Sequence, residues 1–330
     1  MTTATGSQPP GGDATVDDHG ADHQAGRRRR SALPVAAGAL LLTGVLLGHR
    51  RLPGELGFLV ETTLVFAGLG VPLLLLWALR RRSHGGAAAA LVPLVAWALV
   101  VGPTWVPLDW SAPDAAAGTG SLTVASQNVA AGTGTAGESA ATLAATGAQV
   151  IGLQELDGTS REEAGAALAA SHPHRFTAGT VGLFSQYPIE KATALDLGLG
   201  WSRALRAVVD TPSGPVAVYV VHADSARLGA HDNRDRMLSA LTSEVQTDDA
   251  SRVLVIGDLN TVPTDRAFTD LASLLHEPNL SSGGPAVTWP TTLPLLALDH
   301  VLGRGVTFTE RRSIIAGRSD HLATVARLNL

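Results

Sequence analysis

Cysteine is absent from the 330 residues. That excludes a disulfide-stapled module, a cysteine nucleophile, thiolate metal ligands and a cysteine-held iron–sulfur cluster. Lysine occurs once, at Lys191, so almost every basic residue is arginine. Charge is scarce: 16% of residues are Asp, Glu, Lys or Arg, and the net charge of −5 is mild. Aromatics make up only 4%, which leaves few rings for stacking on bases. Apolar residues, at 45%, are too many for wholesale disorder. The length allows roughly two domains of about 150 residues.

The apolar residues are concentrated at one end. Residues 1–30 read as a disordered cytoplasmic tail, without an apolar period and ending in the basic block Arg27–Arg30. Ser31–Gly48 then carries no charge over 18 residues. Leu56–Leu79 is a second apolar run, with Glu61 near its start and Pro72 inside; Gly85–Leu108 is a third, uncharged over 24 residues. A membrane-spanning helix needs about 20 apolar residues, so three spans are expected, near 31–48, 57–79 and 86–107. Trp77, Trp105 and Trp110 fall near run ends, as an interfacial belt would place them, whereas Trp97 is mid-run. A cleavable signal peptide would need a much shorter basic lead and no further runs. Core helices of a soluble protein would not repeat three long uncharged runs. A transporter would carry intramembrane ionisable groups, and only Glu61 qualifies, so the spans read as an anchor. With the N-terminus cytoplasmic, seven arginines lie inside and Arg50 and Arg51 outside, as the positive-inside rule prefers. Everything after Leu108 is then extracytoplasmic.

Residues 109–120, rich in Ala, Pro and Gly, read as a linker, and 121–330 as one domain. The domain has 21 acidic and 15 basic residues, a net of −6. Strand-like pieces at 122–128, 149–154, 182–185, 203–209, 216–222, 252–256, 298–301 and 323–328 alternate with helical ones at 138–145, 161–170 and 232–245, an α/β sandwich pattern. Nearly every buried-looking strand ends in a polar residue: Asn128; Gln154-Glu155; His222; Gly257-Asp258-Leu259-Asn260; Asp299-His300; and Asp320-His321 at the start of the last. Amides, carboxylates and imidazoles without thiolate describe a hard-cation site for Mg²⁺ or Mn²⁺. Such a site suits hydrolysis of a phosphate ester, the ion polarising phosphoryl oxygens while a carboxylate activates water.

In this order and spacing the six pieces resemble the endonuclease/exonuclease/phosphatase superfamily of DNase I-like nucleases, sphingomyelinases and inositol-phosphate phosphatases. The resemblance covers 121–330 and implies a four-layer α/β sandwich of two packed sheets. It further implies Glu155 as the principal metal carboxylate, with Asn128 beside it and Asp320 as a second metal-side carboxylate. Asp258 would orient or deprotonate the attacking water, and Asn260 would hold it or a phosphoryl oxygen. His222 would contact the phosphate or protonate the leaving group. His321 would stabilise phosphoryl charge, held in its tautomer by Asp299, while His300 would face structure. Three spans ahead of such a domain resemble the bacterial membrane phosphoesterases associated with glycopeptide resistance, the VanJ type, which implies a polyprenyl-linked envelope intermediate as substrate.

Singly, each residue has a blander reading. Asn128 could be a turn residue, Glu155 a solvated edge, His222 a satisfied histidine and the Gly-Asp-x-Asn stretch an Asx turn. His231, Arg206, Arg227 and Arg234 could line a substrate mouth, but are expected to be solvated. Trp201 and Trp289 are expected in core or rim packing, and His172 and His174 at the surface. The substrate could be a nucleic acid, but a domain at −6 lacks a basic footprint. Anchoring concentrates the enzyme on a membrane-borne substrate, which favours a lipid-linked phosphate or a phospholipid head group. A catalytically inactive membrane module of the same fold is the remaining alternative.

Overall fold

A computed structural model describes residues 19–106, 120–277 and 285–330. The expected tail up to residue 18, and Trp110 with most of the expected linker, lie outside the described residues. The first apolar run is helix α1 (His19–Gly48), which begins ahead of the arginine block. After the turn His49–Arg51 come α2 (Gly54–Thr63), a 3₁₀ stretch (Leu64–Leu69) and α3 (Gly70–Arg80), which continue one another. Ala32–Arg51 and Gly54–Arg80, 20 and 27 residues long, are long and apolar enough to cross a membrane. Leu40, Leu41, Leu47, Leu73, Leu76 and Leu79 are exposed on them, which a soluble core would bury.

The third run corrects the expectation of a span over 86–107. It folds as α4 (His84–Ala89), α5 (Leu91–Val100) and α6 (Gly102–Trp105), and its apolar stretch His84–Val100 falls short of a span. Two helices, not three, therefore meet the length requirement among the described residues. Proline is the physical reason. Pro93 has no N–H to offer the carbonyl of Ala89, where α4 ends, and Pro103 follows the second break. Trp97 finds a partner inside the bundle: its Nε1 donates to Val65 O at 3.0 Å, in the 3₁₀ stretch.

The continuous helix from Gly54 to Arg80 is about 40 Å long at 1.5 Å per residue, against about 30 Å of hydrocarbon. The surplus is about two turns, and its first two turns dock on the domain. Glu61 is 1% exposed. Its carboxylate takes Arg266 Nε at 2.9 Å and Nη2 at 2.8 Å, and its carbonyl accepts from Thr264 Oγ1 at 3.0 Å. Glu55 accepts from Gly229 N at 2.8 Å and lies 3.5 Å from His231 Nε2. Phe58 stacks on His231 with centroids 4.6 Å apart. At the far end of the third run, Ala286 N donates to Thr104 O at 3.1 Å.

The domain is built of two sheets. One has the order β10-β11-β1-β2-β4-β3: β1 (Ser121–Asn128), β2 (Val150–Gln154), β3 (His174–Ala178), β4 (Val181–Ser185), β10 (Thr307–Ile314) and β11 (Ala323–Asn329). The other has the order β5-β6-β7-β8-β9: β5 (Ile189–Leu195), β6 (Ala204–Thr211), β7 (Gly214–His222), β8 (Val253–Asp258) and β9 (Asp299–Arg304). Both sheets mix parallel and antiparallel pairs. Val124, Leu183, Val218, Val220, Leu254 and Ile256 fill the space between them. α7 (Ala136–Ala145) and α8 (Gly158–Leu168) cover the outer face of the first sheet through Leu143, Leu168, Ile151 and Leu153. α9 (Asp232–Thr247) and α10 (Arg266–Leu274) cover the second through Met237, Leu241, Phe268 and Val255. The result is the four-layer arrangement that the resemblance implied. β8 is buried along its whole length, as its unbroken apolar run requires of a central strand.

Several residues expected to be solvated are not. Arg206 donates to Asp248 from Nε and Nη2 at 2.7 and 2.9 Å, and Tyr219 Oη donates to the same carboxylate at 2.6 Å. His172 is buried against Ala148 O. Asp248 is held down to about 2; burial opposes this, but the Arg206 and Tyr219 bonds more than offset it. Asp248→Asn is therefore expected to cost about 2 kcal/mol at neutral pH in urea unfolding. The native carboxyl titrates below its unfolded value, so its stabilisation is complete above about pH 4 and fades as pH falls toward 2. The gap between variant and parent should close in that window.

Candidate active site

Strand register puts the polar ends in one place. In the second sheet His222 pairs with Asp258 and Asp258 with Asp299, across β7, β8 and β9. In the first, Asn128 pairs with Gln154 at the ends of β1 and β2, and Glu155 follows. The two rows meet over the edge of the sandwich. Asn128 Nδ2 donates to Glu155 Oε1 at 2.9 Å and to Asp258 Oδ2 at 3.0 Å, while its Oδ1 accepts from Ala130 N. His222 Nε2 stands 3.8 Å from Glu155 Oε1 and 3.9 Å from Asp258 Oδ2. His321 Nδ1 lies 2.8 Å from Asp299 Oδ2, and its Nε2 is 3.8 Å from Asp258 Oδ2. Asn260 N donates to Asp258 Oδ1 at 2.9 Å, and its Nδ2 to Ala223 O at 3.0 Å.

The backbone is bent to achieve this. Glu155 and Asn260 have φ of 59° and 47°. Asparagine tolerates that region; glutamate does so at a cost, and such outliers cluster at functional sites. Gly257, at φ 139°, passes so close to Val221 that a Cβ would lie 2.0 Å from its carbonyl oxygen. Only glycine fits there, which explains the first residue of Gly-Asp-x-Asn. Ser319 Oγ donates to Asn128 O at 2.6 Å and accepts from His321 N at 3.0 Å, tying the last motif to the first.

A pocket of about 600 Å³ opens over these groups. Asn128, Glu155, Asp258, Asn260, Asp320 and His321 line it, while His222 and Asp299 support from behind. Burial, then the Asp299 carboxylate, push Asp258 well above the usual carboxylate range. Burial alone would lower His321, but Asp299, Asp258 and Asp320 more than offset it and raise it into an imidazolium at neutral pH. Burial, then the charges of Arg203 and His321, hold His222 well below its ordinary value. The floor thus sets a cation, His321, beside a neutral imidazole, His222.

The donor set is oxygen and imidazole, which fits a hard divalent cation. Asp258, Asp299 and His321 have ligand atoms within 4.8 Å of one another. Asp299 and His321 are, however, already bonded to each other through Oδ2 and Nδ1. Glu155, whose side chain is 35% exposed at the pocket, with Asn128 beside it, is the better-placed holder. Asp320 lines the same pocket, but its Oδ2 accepts from Trp289 Nε1 at 3.1 Å.

The family model for endonuclease/exonuclease/phosphatase proteins matches residues 125–321. This chain belongs to that family. Among solved structures, Staphylococcus aureus beta toxin superposes with a TM-score of 0.52 at 14% identity, covering 62% of this chain and 99% of the toxin. A toxin mutant with bound magnesium ions gives 0.51 at 16%, covering 62% and 98%. TDP2 from D. rerio, in complex with a single-stranded DNA product, gives 0.51 at 17%, covering 64% and 99%. At these identities the likeness is one of fold. No curated protein sequence matches the chain.

Arg203, Phe58 and Thr62 join this family member's site without a mark in the sequence. Arg203 Nη2 sits 2.9 and 2.7 Å from the two ring nitrogens of His222, and its Nη1 pairs with Asp224 at 2.9 Å. Arg234, expected to be solvated, is 2% exposed. It donates to Asn260 O at 2.9 Å, pairs with Asp265 at 2.7 Å and lies over the Phe58 ring. His231 is likewise covered by Phe58, and both Arg227 and Arg234 line the pocket. Trp289 is a rim residue, and Trp201 is exposed beneath the Arg203 guanidinium. His300 is buried, bonded to Glu277 Oε1 and Thr261 O at 2.9 Å each, and faces away from the pocket. Phe58 and Thr62, from the apolar N-terminal region, complete the pocket wall.

Proposed function

We propose that this chain is a membrane-anchored, divalent-metal-dependent phosphoesterase, acting outside the cytoplasm on a lipid-linked phosphate or pyrophosphate ester of the cell envelope. The observation that carries the reading is the meeting of Asn128, Glu155, Asp258, Asn260 and His321 at one pocket that α2 also walls. Held by Glu155 with Asn128 beside it, Mg²⁺ or Mn²⁺ would supply Lewis-acid polarisation of the phosphoryl group.

The chain's own groups do the rest. Asp258, a stronger base for its raised proton affinity, takes the proton of the attacking water at Oδ2. Asn260 holds that water or a phosphoryl oxygen. His321, kept charged by Asp299 at its Nδ1, places a cation beside the phosphoryl group as negative charge develops. Held neutral, His222 suits contact with a phosphate oxygen better than donation of a proton to the leaving group.

Location is supported by the bundle. The domain packs at the end where α1 closes and α2 begins, and Gly86 approaches Val35 at the opposite end, beside Arg80–Arg82. With the N-terminus cytoplasmic, the arginine-rich end lies inside and the domain outside, which requires the broken third run, short as it is, to carry the chain back from Arg82 to Thr104 beside the domain. At −6 the domain lacks the basic footprint of a nucleic-acid binder, and a membrane anchor favours a lipid-borne phosphate as partner.

Full-length protein purified in detergent should release phosphate from a polyprenyl diphosphate with Mg²⁺. EDTA should stop it, and His321→Ala should lower the rate by about two to three orders of magnitude. Well-folded wild-type protein that releases nothing from this compound would sink the lipid-diphosphate reading.

A further inference from the structure

The pocket has two unlike sides. On one lie the carboxylates and histidines; on the other lie Phe58 and Thr62 of α2. Four contacts fix that helix: Glu61 on Arg266, Glu61 O on Thr264, Glu55 on Gly229, and Phe58 on His231. Arg266 also reaches Leu52 O. Phe58 in turn covers Arg234, which holds the carbonyl of Asn260. The helix is thus joined to the catalytic loop rather than merely lying near it.

Beyond the pocket the same helix turns apolar and exposed. Phe66 follows Thr62 by one turn and is 43% exposed; Leu69 follows by another and is 64% exposed. A crevice of only about 20 Å³, bounded by Thr62, Val65, Trp105 and Leu296, adjoins the pocket on the bundle side, so a chain leaving the pocket would pass over Thr62 rather than through the crevice. The loops bordering the pocket also present leucines to the surroundings. Leu228 follows the lining residue Arg227, and Leu293 lies between Trp289 and Leu296. A wholly water-borne substrate would gain nothing from such a rim. A phosphate ester whose apolar chain stays in the bilayer would bury that chain against it.

We infer that α2 is a wall of the catalytic cleft, with Phe58 and Thr62 guiding the apolar chain of a lipid-linked phosphate ester from the site into the membrane. This rests on the phosphoesterase reading above and adds the residues that select the lipid. These are specificity residues; they touch the chain and not the reacting phosphorus.

The test compares two substrates with the same head group. Full-length protein in lipid nanodiscs is assayed on a long-chain polyprenyl diphosphate and on dimethylallyl diphosphate. Thr62→Trp fills the exit and Phe66→Ser removes an exposed apolar side chain one turn beyond it, away from the catalytic loop, so either variant remains informative if the other folds poorly. The ratio of kcat/KM, long chain over short, should fall about tenfold in each, through KM of the long-chain compound. Equal losses on both compounds, or an unchanged ratio in variants with parental Tm, would overturn the inference alone. Wild-type protein that cleaves neither compound would overturn the phosphoesterase reading and this inference together.

Discussion

Asparagine at position 258 is expected to lower kcat by about three orders of magnitude while leaving KM within a few-fold of the parent. The substitution keeps shape and removes charge, so the reason is local. Asp258 Oδ2 accepts from Asn128 Nδ2 at 3.0 Å and faces Nε2 of His222 and His321 at 3.9 and 3.8 Å. An amide nitrogen there would point a donor at a donor, and an amide oxygen cannot take a proton from water. Loss of the negative charge also removes part of what keeps His321 cationic. Asp299→Asn should cost less, about two orders of magnitude, because His321 stays in place and loses its tautomer and charge support. Steady-state kinetics, with circular dichroism as the check on folding, decides this. An Asp258→Asn variant retaining a tenth of parental kcat would remove Asp258 from the base role.

Alanine in place of Glu155 is expected to abolish the stabilisation that Mg²⁺ confers, and with it about three orders of magnitude of activity. A ligand that binds only the native state stabilises it by about 2.7 kcal/mol at a hundredfold excess over Kd, enough to move Tm by several degrees. Parental protein should show that upward shift, and the variant none. Without metal the order can reverse. Glu155 carries a φ of 59° and sits against Asp258 through a shared amide, so Glu155→Asn, which tolerates the backbone, should melt no lower than the parent. A full Mg²⁺-induced shift in the alanine variant would place the ion elsewhere, with the group of Asp258, Asp299 and His321 as the next candidate.

Central strands were readable because burial on both faces demands unbroken apolar runs. Val253–Ile256 and Val216–Val221 show it, and their polar ends follow directly. Edge strands were not, except β9. β3 and β5 alternate irregularly between half-buried and exposed positions, and β10 carries Arg311 and Arg312 in its middle. α10 did leave a signal that went unread: Asp265 caps its N-terminus, and Phe268, Leu271 and Leu275 recur at helical spacing. The arginines were misjudged for one reason. A long cationic side chain is usually solvated, and only a distant acceptor can bury it. Arg234 finds Asp265 and Asn260 O, and Arg206 finds Asp248, none near enough in sequence to show. Glu61 is the same case reversed. It read as an isolated charge at a membrane edge, but its partner is Arg266, more than two hundred positions away.

The rod from Gly54 to Arg80 has a fixed length, and its surplus of about 10 Å is clamped to the domain by Glu55 and Glu61. A clamped rod sets altitude as well as attachment. On the membrane-anchored reading proposed above, the cleft would be held at one height above its own leaflet, unable to swing up to a facing membrane or down into the hydrocarbon. Encounters with a lipid would then occur by lateral diffusion in a plane. Turnover would track the mole fraction of substrate in that leaflet, not the amount in the surrounding volume. Diluting the leaflet with inert lipid should slow such an enzyme, whereas diluting the vesicles should not.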